Sequence, residues 1–225
     1  MKVLKFFRVS MLAALVATTG AHAVAVTIDF DSTGQTIDGF GGFGGMKPWW
    51  SGGPYYNDDF LQMIFEDIGM TMIRTELYPR PEQEDNFTRQ VPYLQAIKQY
   101  ADARGIRLKV FATIWTPPAR FKDNNNTAGG SLLPGSVDGY ADYIVDYLKF
   151  FKQQVGYDLY AVSPANEPQA EHYFNSCSYT EELLAEVVIS LANKIADEGL
   201  PTLVHYSDDL KMHHLYHMDV WNVVK

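Results

Sequence analysis

One segment of this sequence carries the residue types that acid catalysis needs. In Ala161-Val162-Ser163-Pro164-Ala165-Asn166-Glu167-Pro168, an apolar run gives way to an Asn-Glu-Pro turn. A carboxylic acid at the end of a strand can protonate a leaving oxygen, which is what glycoside hydrolysis requires. Asn166 can donate to a sugar hydroxyl, and Pro168 stiffens the turn so that Glu167 keeps one direction. The triplet alone is also what a glutamate opening an ordinary loop looks like. Its place along the chain has to decide.

The surrounding elements alternate. Strands are expected over Val24 to Phe30, Gly39 to Gly45, Met70 to Leu77, Ile106 to Ile114, Leu159 to Ala165 and from Pro201 to Tyr206. Between them lie helical patterns. One is capped by Asn57 and carries Phe60, Leu61, Ile64, Phe65 and Ile68 on one face. The others run over Tyr93 to Arg104, Val137 to Val155 and Thr180 to Asp197. Gly69, Gly105, Gly156 and Gly199 mark their ends. Strands alternating with helices imply a parallel sheet with helices outside, either a (β/α)8 barrel or an open doubly wound sheet. The loops that follow the strands favour the barrel. They run over Met46 to Tyr56, Tyr78 to Pro92, Trp115 to Ser136 and Glu167 to Tyr179, and are long and rich in aromatic, Pro and charged residues. A barrel places its active site on those loops. Asn166 and Glu167 then stand at the mouth, after the fourth strand of the repeat.

Lys2, Lys5 and Arg8, a short apolar run from Val9 to Thr19, and Ala21-His22-Ala23 have the order of a secretory signal peptide, expected over residues 1–23. The run is too short to span a bilayer. Removing it leaves 202 residues, in which 15 Lys and Arg face 27 Asp and Glu, a net charge of −12. That balance disfavours nucleic acid and anionic membrane as partners. Cys177 is the one cysteine, so no internal disulfide is expected; it is either a buried residue or a reactive thiol. A (β/α)8 barrel takes about 250 residues. With five strands in the repeat, residues 24–225 are expected to form an incomplete α/β barrel of about five βα units, the N-terminal part of a catalytic domain.

Four segments resemble glycoside hydrolase family 30, within the clan of retaining (β/α)8 enzymes. They are Gln35-Thr36-Ile37-Asp38-Gly39-Phe40-Gly41-Gly42, Ile73-Arg74-Thr75-Glu76, Phe111 through Lys122 with its Trp115-Thr116-Pro117-Pro118, and Val162 through Pro168. The third and fourth are specific singly, and the order and spacing of all four add to them. The expected leader makes the protein a secreted one, and the resemblance implies an enzyme that hydrolyses a β-linked glycan by double displacement, expected to be a monomer when full length. It implies Glu167 as acid/base, Asn166 as a ligand of the sugar next to the scissile bond, Trp115 as an aromatic wall, and Arg74 as an arginine that reaches the site. It implies no cofactor and no metal. It also pairs Val24 to Asp31 with C-terminal strands of a side β-domain.

The family places its nucleophile after the seventh strand, and no residue here matches it. Asp208 and Asp209 follow the fifth strand. Asp208 is expected to contact substrate or to be structural rather than to serve as the second carboxylate, so the chain alone is expected to show negligible turnover. Two alternatives stay open: a related family of the same clan, and a non-catalytic glycan-binding remnant.

Other patterns carry less. Gly39-Phe40-Gly41-Gly42-Phe43-Gly44 fits G-x-G-x-x-G, but no helix start follows it, so dinucleotide binding is not expected. His213, His214 and His217 have metal-like spacing without an evident third ligand. Trp49, Trp50, Tyr55 and Tyr56 are sugar platforms or loop packing. Asn86-Phe87-Thr88 and Asn125-Asn126-Thr127 are acceptor sequons for a host that glycosylates.

Overall fold

A computed structural model describes residues 29–43, 56–77, 84–206 and 208, with the backbone alone over 84–89. The expected leader at 1–23, most of the strand expected from Val24, and Trp49, Trp50, Tyr55, Asp209, His213, His214 and His217 lie outside the described residues. The chain divides into two units, residues 1–36 and 37–225. Of the first, the described part is exposed and contains a turn at Phe30 and Asp31 rather than a strand.

The second unit is an α/β layer. Five strands lie in strict chain order and all run parallel: β1 Gly41–Phe43, β2 Met72–Leu77, β3 Lys109–Ile114, β4 Ala161–Ser163 and β5 Leu203–Val204. A doubly wound sheet reverses its strand order at a switch point, and this sheet does not. The order is that of a (β/α)8 barrel, of which the described residues supply five strands.

The helices between them are α1 Asp58–Gln62, α2 Glu84–Ala103, α3 Val137–Val155 and α4 Glu181–Asp197. Asn57 caps α1 by accepting the Phe60 N–H, and Thr180 caps α4 by accepting that of Leu183. Gly156 ends α3 in the left-handed region at φ 87°, its N–H donating to the Lys152 carbonyl.

Three expectations need correction. Ile68 is 58 % exposed instead of joining the buried face of its helix. A π turn over Met63–Asp67 follows α1 and rotates the later positions away from the core. Helix α2 starts at Glu84 and carries Pro92 inside it, so part of the expected Tyr78 to Pro92 loop is helix. Pro92 removes one helical hydrogen bond and crowds the preceding turn, but Tyr93, Leu94 and Ile97 beyond it are fully buried, which holds the helix together. Among the described residues the glycine-rich β1 lies at the edge of the sheet, and Gly41 is exposed rather than buried. Its glycine is still required, because a Cβ at Gly41 would lie 1.7 Å from the Met72 carbonyl oxygen.

Side chains alternate across the strands. Ile73, Leu77, Val110, Ala112, Ile114 and Val162 turn to the helices and are at most 2 % exposed. Buried polar groups tie the layers: Thr75 donates to Gln90 at 2.7 Å, and Gln90 donates to the Tyr147 hydroxyl at 3.3 Å. Arg74, Glu76, Phe111 and Thr113 take the opposite face, so one side of the sheet collects polar chemistry.

Cys177 is 1 % exposed, and burial pushes its thiol up to about 11. The buried alternative therefore holds. A thiolate, not a thiol, is the nucleophile, so the folded protein is expected to ignore a disulfide reagent such as DTNB and to react stoichiometrically in urea. Rapid labelling without denaturant would contradict this burial.

Candidate active site

Four strand ends build one cluster. Arg74 on β2 donates through Nε to the Thr113 hydroxyl on β3 at 2.9 Å. Its Nη2 donates to the side-chain oxygen Oδ1 of Asn166 at 2.6 Å and reaches Asp208 Oδ2 at 3.4 Å. Thr113 in turn donates to Asp208 Oδ2 at 2.9 Å, and His205, just past β5, lies 3.1 Å from Asp208 Oδ1. Asn166 spends its oxygen on Arg74, which leaves its NH2 group to donate elsewhere. Trp115 follows β3, with the Arg74 guanidinium 4.8 Å from its ring centroid and Phe43 at 5.6 Å. The cation thus lies on the aromatic as well as between the polar groups.

Asp208 joins this cluster, and both its oxygens face protein partners. Burial works against its ionisation. The His205 hydrogen bond, the Arg74 charge and the Thr113 hydroxyl outweigh burial and hold its carboxyl below the usual range. It orients Arg74 and, through it, Asn166.

Glu167 stands beside this cluster in an unusual backbone state. It has φ 48°, a left-handed conformation that residues other than glycine seldom adopt. Neighbours fix it there. The Glu167 N–H donates to the Asp208 carbonyl at 2.8 Å, and the Asn166 N–H to that of Ile114 at 2.8 Å. Ala170 donates to the Glu167 carbonyl at 2.9 Å. From below, the buried Tyr140 hydroxyl of α3 donates to the Pro164 carbonyl at 2.6 Å. The turn is held on every side, and its carboxylate, 30 % exposed, meets His172 Nε2 at 2.9 Å.

The loop after β4 is braced by a buried cation. Lys122 is 2 % exposed, and its ammonium donates to Thr116 Oγ1 at 3.0 Å, the Thr127 carbonyl at 3.3 Å and the Ser176 carbonyl at 2.6 Å. Burial lowers its basicity. Ser176 Oγ accepts the N–H of His172 at 3.0 Å and of Gly129 at 3.1 Å. The loops after β3 and β4 are thereby joined.

The structure therefore brings Arg74, Trp115, Asn166 and Asp208 together beside Glu167. It adds His172, His205, Thr113 and Lys122, which sequence reasoning did not single out. His172 lies five residues past Glu167 in an irregular loop, where no periodicity points to it. Among the described residues, no group of three or more His, Cys, Asp or Glu is arranged to hold a metal ion, and no helix is long and apolar enough to cross a membrane.

Comparison with known proteins meets this geometry. The model of the glycosyl hydrolase family 30 TIM-barrel domain matches residues 76–192, just over half of the chain. Glucuronoxylanase XynC of Bacillus subtilis is 27 % identical over 203 residues, covering 86 % of this chain and 45 % of that protein. The catalytic domain of a family 30 xylanase C from Talaromyces cellulolyticus superposes with a TM-score of 0.71 at 23 % identity, over 86 % of this chain and 52 % of that one. An endo-β1,6-glucanase superposes with a TM-score of 0.69 at 24 % identity, over 84 % and 50 %. The chain spans about half the length of these relatives.

Proposed function

Because this chain belongs to glycosyl hydrolase family 30, we propose that it forms part of a secreted retaining glycosidase that acts on a β-linked glycan, with Glu167 as its general acid/base. The observation that carries the assignment is the pinned Asn166-Glu167-Pro168 turn beside the Arg74–Asn166–Asp208 cluster. In the first step Glu167 protonates the leaving oxygen. In the second it takes a proton from the water that releases the sugar. The NH2 group of Asn166, oriented by Arg74, donates to a hydroxyl of the cleaved sugar, and Trp115 packs on its C–H face.

A retaining reaction needs a second carboxyl about 5–5.5 Å from the first. Asp208 suits that role poorly, since His205, Thr113 and Arg74 occupy its oxygens. The 225-residue chain is accordingly expected to bind glycans and to turn them over negligibly. Hydrolysis and binding should be measured together on xylan, β-1,6-glucan, β-1,6-galactan and glucosylceramide. Substantial hydrolysis by this chain would refute the missing second carboxyl. Failure to bind any of the four would refute the glycan reading itself.

A further inference from the structure

Past Glu167, the same loop carries three aromatic rings in contact. His172, whose Nε2 meets Glu167, stacks on Phe174 with centroids 4.6 Å apart and planes 6° from parallel. Tyr173 meets Phe174 edge-on at 5.3 Å and 87°. These rings face water: Tyr173 is 96 % exposed and Phe174 42 %. The loop that bears them is not loose. Besides the Lys122 and Ser176 braces, Ala128 pairs with Asn175, Ser131 pairs with Ser178, and the Ser178 N–H donates to the Gly130 carbonyl at 2.9 Å. Tyr173 and Phe174 together present adjoining aromatic faces to solvent on a cross-braced loop.

We propose that Tyr173 and Phe174 form the platform for the sugar on the leaving-group side of the scissile bond. The proposal rests on Glu167 being the acid/base. An acid that protonates the bridging oxygen has the cleaved sugar on one side and the departing sugar on the other. The cleaved sugar takes the polar cluster of Arg74 and Asn166 with Trp115. The departing sugar must then lie within a ring's reach of Glu167 in another direction, and the His172–Phe174–Tyr173 ledge leads outward from the carboxylate. A pyranose presents an apolar C–H face to such rings while its hydroxyls stay in water. The occupant is therefore a neutral β-linked sugar at the reducing-end side of the chain being cut.

The test uses the 225-residue chain with isotope-labelled aromatic rings. It is titrated with β-1,4-xylohexaose and with a β-1,6-linked glucohexaose, each with and without a nitroxide at its reducing end. The Tyr173 ring signals should shift, and the nitroxide should broaden Tyr173 more than Trp115. Tyr173→Ala should weaken binding about tenfold with an unchanged melting curve, since the side chain is exposed. If Trp115 responds while Tyr173 does not, and Tyr173→Ala binds as wild type, the platform is refuted and the glycan reading survives. If the nitroxide broadens Trp115 more than Tyr173, the polarity is wrong and the proposal falls. If neither ring responds to either sugar, both readings fall together.

Discussion

Glu167→Gln should lower the rate on a natural glycan by about 10²–10⁴-fold in a longer protein that contains this chain and supplies the second carboxyl. Glutamine keeps the shape and an acceptor for His172 but has no proton to give. The loss should depend on the leaving group. A dinitrophenyl glycoside departs with little help from an acid, so its first step should survive and the sugar should remain on the nucleophile. Release then lacks a base. Azide is a nucleophile that needs none, so adding it should restore turnover and yield a glycosyl azide of retained configuration. An unchanged rate in Glu167→Gln, or no azide response, would remove Glu167 from the acid/base role.

Arg74→Met should destabilise the fold by about 2–3 kcal/mol. Breaking one side of a buried ion pair costs about 3–5 kcal/mol, and the partial exposure of these two, 24 % and 18 %, scales that down. The loss comes from what remains: an Asp208 carboxylate without its cation, and an Asn166 oxygen without its donor. Urea unfolding measures it. The double variant Arg74→Met/Asp208→Leu should recover part of the loss, because it removes the stranded charge. Acid titration adds a signature. Asp208 is held below its unfolded value in the folded protein. Its contribution is therefore complete above its unfolded pKa, near 4, and is lost as pH falls through the lower folded value. In Arg74→Met, acid unfolding should begin at higher pH. Equal stability of wild type and variant at neutral pH would show that the cluster is not coupled as described.

Much of this arrangement was legible from residue order. The bounds of α3 follow from its apolar period and Gly156, and those of α4 from the Thr180 cap and Gly199. Glu167, Asn166 and Arg74 stand out through strand-end position and family resemblance. What stayed hidden depends on distant parts of the chain. Asp208 lies 134 residues from Arg74, and nothing local shows that its oxygens meet Arg74, Thr113 and His205. Lys122 looks like any surface lysine until the loops after β3 and β4 close over it. The π turn before Ile68 and the continuation of α2 through Pro92 defeat a simple 3.6-residue count, because tertiary packing overrides local preference at both places.

The left-handed backbone at Glu167 sets thermal robustness against turnover. A residue with a Cβ pays roughly 1–2 kcal/mol in that region, and glycine or asparagine far less. A library selected only for survival of heating should therefore drift at this codon towards glycine or asparagine, becoming hardier as it loses the carboxylate. Keeping glutamate there requires selection on the reaction itself.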